Sequence, residues 1–167
     1  MIFIFIKNDF KAFLENYDKL LVLGVGNELR GDDSLGPYFI ESIGSKLSLD
    51  FFEKWNIVLV NAGSVPENFT GLIIKEKPSH ILIVDAILMD DVPGFIKLIT
   101  KEQIANYSPS THSMSLSVII KYLESKIDFN ILLVGIQPET MGFAEDISSV
   151  VLNSISTLEE LFISSIK

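Results

Sequence analysis

The chain has 167 residues, 48% of them hydrophobic, with 13 Lys plus Arg against 22 Asp plus Glu, a formal net charge of −9, no cysteine and two histidines. That length suits one domain with a substantial core. The absence of thiols excludes disulfides, Cys-ligated metal and a cysteine nucleophile, and the acidic balance argues against general binding to nucleic acid or anionic membranes. Mean hydropathy is high, +0.39, yet no apolar run approaches the roughly 20 residues of a spanning helix.

In chain order, residues 1–6 (MIFIFI) are apolar but lack the basic start and small-residue cleavage site of a secretory signal; a cytoplasmic protein is expected. The hexapeptide reads as an extra strand or an arm packed on the domain, and as a self-association segment in the sharper reading. From Asn8, a potential cap, the pattern turns helical, with Phe10, Phe13, Leu14 and Tyr17 on one face. Leu20–Val25 reads as a buried strand. A Gly- and Asp-containing loop and a helix from about Ser34 to Leu47 follow. Ile57–Asn61 is a second strand, Pro66–Lys75 a short helix and Ile81–Ala86 a third, wholly apolar strand up to its Asp. Gly94–Thr100 is a strand, Ser113–Ser125 a helix, Asn130–Ile136 a buried strand and Asp146–Ile166 a terminal helix. Apolar strands alternating with helices predict an α/β fold: a single three-layer domain with a twisted, mostly parallel sheet and helices on both faces.

Ligands in such sheets bind at the carboxyl ends of the strands. The loops there are Gly26–Asp33, Gly63–Asn68, Asp85–Asp91, Ser108–Ser113 and Gln137–Asp146. Gly24-Val25-Gly26-Asn27 fails the dinucleotide fingerprint, because Leu29 holds the third glycine position, and no Walker A loop is present; a tight turn explains these glycines best. Asp32 and Asp33 precede a helix, where acids commonly cap it. Asp85 is more informative, since a carboxylate ending an apolar strand is costly to desolvate unless it is bonded, paired or facing a ligand. His80 precedes the third strand at the opposite end and reads as ordinary surface. His112 lies in a loop that can reach the strand ends. Asp33, Asp85 and His112 would together offer two carboxylates and one imidazole, a donor set suited to a borderline divalent metal such as nickel or zinc with open positions. A Ser64–His112–Asp85 hydrolase competes with this reading, but no G-x-S-x-G elbow is present.

Five short segments in order resemble the endopeptidases that mature the large subunit of nickel–iron hydrogenases, the hydrogenase 3 type above all. They are Gly24-Val25-Gly26-Asn27 with Gly31-Asp32-Asp33-Ser34-Leu35-Gly36-Pro37; Gly63-Ser64-Val65-Pro66-Glu67-Asn68; Ile81 to Ala86; Thr111-His112-Ser113-Met114; and Gly135-Ile136-Gln137-Pro138 with Gly142-Phe143. The resemblance covers residues 20–167, the expected protease domain. Residues 1–19 form an N-terminal extension without a counterpart in it, and Ser34 stands where Gly is common. It implies a single α/β domain and a cytoplasmic protease that removes the C-terminal extension of the precursor after nickel insertion. It also implies that Asp33, Asp85 and His112 are both metal-contacting and catalytic. Nickel would arrive with the substrate, and no organic cofactor is expected. The precursor is the expected partner of a monomer, with the extension as the route to any oligomer. Gly63–Asn68 and Gly142–Phe143 would border the cleft. The other class of function is a non-catalytic nickel-binding accessory protein for hydrogenase assembly, but three ligands without thiolate make a poor high-affinity carrier.

Overall fold

The apolar runs of the sequence pair side by side into one sheet. A computed structural model describes residues 2–107 and 115–166, with side chains from Ile6 onward. The strands are β1 (Leu20–Val25), β2 (Ile57–Gly63), β3 (His80–Ala86), β4 (Ile96–Thr100) and β5 (Asn130–Ile136). Their order is β2-β1-β3-β5-β4, with β4 alone antiparallel and at an edge. The helices are α1 (Ile2–Phe13), α2 (Leu35–Lys46), α3 (Leu49–Lys54), α4 (Thr70–Glu76), α5 (Lys101–Ile104), α6 (Leu116–Glu124) and α7 (Ser149–Ser165).

Alternation along the strands divides the core in two. Leu20 and Val22 of β1, Leu82 and Val84 of β3, and Leu132 and Val134 of β5 face α1, α2 and α7. Leu21, Leu23, Ile81, Ile83, Ile131 and Leu133 face α4, α5 and α6. The middles of the central strands are therefore apolar on successive residues because both faces are covered, as the three-layer fold requires. Within the first helix layer, Phe39 of α2 and Phe162 of α7 meet edge to face with ring centroids 6.1 Å apart.

Several expectations change. Of the two readings of the hexapeptide, the strand is overturned and the arm is not: residues 2–13 form one helix, so Asn8 lies inside it rather than capping it. Its Phe10 is buried with α7 and β1 side chains in the first core. The short helix α3 falls in a stretch expected to be a connection; Ser48 caps it, accepting a hydrogen bond from Phe51 N at 3.2 Å. Residues 66–76 divide into a 3₁₀ turn, Pro66–Phe69, and α4. The terminal helix starts at Ser149 because Ser148 is its cap. The start expected for α6, Ser113, lies outside the described residues.

His80 is the clearest revision. It is buried, not ordinary surface. The ring of Phe13 lies edge-on 5.2 Å from it and that of Tyr17 6.3 Å away. Its Nδ1 is 3.0 Å from Ser79 Oγ, and its Nε2 is 3.4 Å from Asn130 Nδ2. Burial pushes its pKa below the usual imidazole value of 6.5. A depressed histidine pKa means that the unfolded chain takes up the proton first, so stability is complete above pH 6.5 and declines as the pH falls towards the folded-state value. The midpoint of thermal unfolding should therefore fall on acidification below about pH 6.5, and His80→Gln should flatten that part of the profile. Circular dichroism melts between pH 5 and 8 measure both. A cavity of about 420 Å³ borders His80, Phe13, Lys101 and Asn130, but it opens at the amino ends of the strands, away from the loops described next.

Candidate active site at the strand ends

Chain reversal of the sheet order locates the site. From β1 the chain moves outward to β2 and then returns past β1 to β3. The switch point therefore lies between β1 and β3, where α/β sheets open a crevice at the carboxyl ends. Asp33 lies in the loop that leaves β1, and Asp85 is the penultimate residue of β3. The 3₁₀ turn Gly31–Ser34 that carries Asp33 packs against β3. Both carboxylates are buried, at 1% and 0% exposure.

The local sequence explains how a loop can place a carboxylate there. Gly26 has φ +144°, and a Cβ at that position would collide with the carbonyl of Asp33. A glycine thus lets the loop fold back onto its own strand. Its N–H donates to Gly63 O at 2.9 Å, beside an irregularity in the β1–β2 register at Gly24/Val25. Asn27 N donates to Asp33 Oδ2 at 3.2 Å, and Asn27 Oδ1 accepts from Leu29 N at 3.0 Å. Asp33 N donates to Arg30 O at 2.9 Å. The side chain is therefore held at the strand end by the loop it belongs to.

Asp32 has a different task. It does not cap α2 but is fully buried and reaches across to the loop after β5. Its Oδ2 accepts from Glu139 N at 2.7 Å, Thr140 N at 3.0 Å and Ser148 Oγ at 2.9 Å; its Oδ1 accepts from Ser148 N at 2.7 Å. Backbone bonds reinforce this join: Asp32 N to Thr140 O at 2.9 Å, Gly31 N to Glu145 O at 3.1 Å and Ala144 N to Leu29 O at 2.8 Å. Gln137 anchors the next loop. Its Oε1 accepts from Met89 N at 2.7 Å and its carbonyl from Gly94 N at 2.8 Å. Neither anchoring role was assigned from sequence; the signal available was a polar side chain next to a buried strand end.

The strand-end rule brings Asp33 and Asp85 to the same crevice. By alternation Asp85 shares a face with Ile81 and Ile83, the side covered by α6, and the chain re-enters the described residues at Ser115 ahead of that helix. His112, the third expected ligand, lies within residues 108–114, outside the described residues. Among the described residues no group of three His, Cys, Asp or Glu side chains could hold a metal ion. The serine alternative gains nothing from the geometry: the positive-φ residue where β2 ends is Gly63, not Ser64.

The fold is that of an α/β domain with two buried carboxylates at its switch point. The family described as hydrogenase maturation protease matches residues 42–165. A provisionally named hydrogenase maturation protease of Methanocaldococcus jannaschii is 40% identical over 153 residues, covering 89% of this chain and 90% of that protein. This span is too long to leave Asp33 outside it. The hydrogenase 3 maturation protease of Escherichia coli K12 is 33% identical over 83% of this chain and 85% of its own. Among solved structures, a nickel–iron hydrogenase maturation protease from Thermococcus kodakarensis superposes with a TM-score of 0.83 at 24% identity, covering 95% of this chain and 98% of that one. A hydrogenase 3 maturation protease superposes at 0.73 with 31% identity, covering 85% and 87%. The chain belongs to the hydrogenase maturation protease family, and it is a peptide-bond hydrolase. The Thermococcus alignment extends into residues 1–19, so part of that stretch has a structural counterpart there.

Proposed function

We propose that this protease removes the C-terminal extension of a nickel–iron hydrogenase large-subunit precursor once nickel has been inserted, in the cytoplasm. No helix among the described residues is long and apolar enough to cross a membrane. The observation that carries the reading is the burial of Asp33 and Asp85 at the sheet's switch point, in a chain of this family.

In this reading nickel belongs to the substrate. Asp33, Asp85 and His112 engage it as the precursor docks, which fixes the scissile peptide near the strand ends. Two carboxylates and one imidazole leave coordination positions to the precursor's own ligands. The protein holds no thiolate with which to retain the ion, so the metal leaves with the product. A water activated beside the metal or the carboxylates attacks the carbonyl carbon; the C–N bond breaks, and the amine leaves with a proton. Recognition of nickel makes cleavage conditional on metal insertion.

Nickel-loaded and nickel-free precursor should be incubated with the wild-type protein and with Asp33→Asn, Asp85→Asn and His112→Ala. Cleavage of the loaded form alone, and a rate lowered at least 100-fold in each variant, is the expected result; losses of two to four decades are usual when a group acting in the transition state is removed. Mass spectrometry of the large subunit reads it. Full cleavage by all three variants would sink the assignment of the residues, and equal cleavage without nickel would sink the recognition step.

A further inference from the structure

The loops at the carboxyl ends of the strands carry large side chains that the core does not use. Leu29 is 61% exposed and Phe143 73%. Around the same crevice Val65, Leu88 and Val92 are also exposed. The join already described ties the backbone of Leu29 to that of Ala144, the residue after Phe143, because Ala144 N donates to Leu29 O. Arg30 Nε donates to Met141 O at 3.2 Å, and Glu145 accepts from both Thr140 Oγ1 and Gly142 N. The two loops are thus bonded to each other at several points, and Leu29 is four residues from Asp33. A scattered exposed apolar residue needs no explanation, but a group of them on fixed loops beside a site does.

The exposed charge in these loops is predominantly acidic. Glu28, Asp90, Asp91, Glu139, Glu145 and Asp146 are exposed in these loops. The described strand-end loops contain one cation, Arg30, the chain's single arginine. None of the three ion pairs recorded among the described residues involves these acids. Most lysines lie elsewhere; Lys97 of β4, in register with Gly135 at this end of the sheet, is engaged with Tyr107, its Nζ donating to the hydroxyl at 2.6 Å. Lys46, Lys54, Lys75 and Lys121 occupy the last turns of α2, α3, α4 and α6, at the opposite end of the sheet.

We infer that the joined loops form a preformed docking ledge for the hydrogenase precursor, on which Leu29 and Phe143 take apolar side chains of a segment whose lysines and arginines meet the surrounding acids. This rests on the proposed function and adds the chemistry of the segment that is recognised. Charge complementarity selects the occupant: a ring of like charge around an apolar pair repels a second copy of this acidic chain and attracts a basic segment. The ledge is held by Asp32 and the inter-loop bonds before substrate arrives, so little order is lost on binding.

The test uses the full-length protein and nickel-loaded precursor, with two readouts: steady-state cleavage and equilibrium binding of the uncleaved precursor. Leu29→Ser, Phe143→Ser and the double variant alter exposed positions, and circular dichroism melts confirm that they fold. Each single variant should raise KM about tenfold, the cost of leaving one large apolar side chain unburied, with kcat within about twofold. Leu49→Ser, at a 79% exposed position on α3, should change neither. Raising salt should raise KM for the wild type, and a precursor with Gln in place of the Lys and Arg of its removable extension should lose that dependence. An unchanged KM in the double variant, or a fall in kcat alone, overturns the ledge. A salt-independent KM overturns the basic partner. A wild-type dimer that the double variant dissociates, with binding of precursor unaffected, assigns the surface to self-association instead. If the wild type binds precursor through these residues without cutting it, the proposed function fails and the ledge stands.

Discussion

Asp32→Ala should cost about 2–4 kcal/mol of folding stability and lower precursor cleavage about 100-fold, although Asp32 touches no substrate in the reading above. The carboxylate accepts four hydrogen bonds, three of them from backbone N–H groups of a loop more than 100 residues away in sequence. Removing it leaves those donors without their acceptor, and each buried donor so stranded costs about 1–3 kcal/mol. The sum is not fully realised, because Glu139 and Thr140 lie near water and can be solvated once released. The loss of activity follows from geometry: the loop bonded to Asp32 borders the crevice, and a displacement of about 1 Å at such a site can cost 100-fold. Asp32→Asn keeps the shape but replaces one acceptor oxygen by a donor, so it should fall between wild type and alanine. Thermal melts and cleavage rates on the same preparations separate the two effects. A stable Asp32→Ala protein with undiminished kcat and KM would show that the loop does not depend on this side chain.

The parts of this molecule that could be read from sequence are those decided locally. Leu20–Val25 and Asn130–Ile136 are apolar on successive residues because helices cover both faces of the sheet, and that pattern survives in one dimension. The strand-end rule then led to Asp33 and Asp85 without knowledge of their neighbours. What failed was decided at a distance. Ile2–Ile6 has the composition of a strand, yet it belongs to a helix continuous with residues that pack on α7 and β1; tertiary context overrides propensity in such short apolar runs. His80 stands at an amino end expected to face water and is covered by Phe13 and Tyr17 from the chain's first helix and the turn after it. The adjacent acids Asp32 and Asp33 look equivalent as letters. Their separation into a loop anchor and a candidate ligand depends on bonds to residues 139–148 that no local rule contains.

The close approach of α2 to the sheet leads to the other large effect: Gly36→Ala should destabilise the protein by at least about 3 kcal/mol, at the severe end for overpacking. A Cβ on Gly36 would overlap the carbonyls of Val25 and Val84 and lie 2.5 Å from Val25 N. All three are backbone atoms, on β1 and β3 at the centre of a five-stranded sheet, so no side chain can move aside to make room. Gly24 on β1 faces the same contact, since a Cβ there would strike the Gly36 carbonyl. The pair allows the first turn of α2, and with it the turn carrying Asp33, to sit directly on the strand ends. Moving the helix outward would therefore displace Asp33 from the crevice as well as open the core. Gly44 of the same helix supplies the control. A Cβ there meets only Leu59 Cδ1 at 3.7 Å, an ordinary contact, and Gly44→Ala should stabilise the protein by about 0.5–1 kcal/mol through helix propensity. Opposite signs from one substitution type on one helix, measured by urea denaturation, would establish that contact with the sheet, and not helix formation, sets the cost at Gly36. A destabilisation below about 1 kcal/mol at Gly36 would mean that α2 can withdraw from the strand ends, and the placement of Asp33 derived from that contact would fall with it.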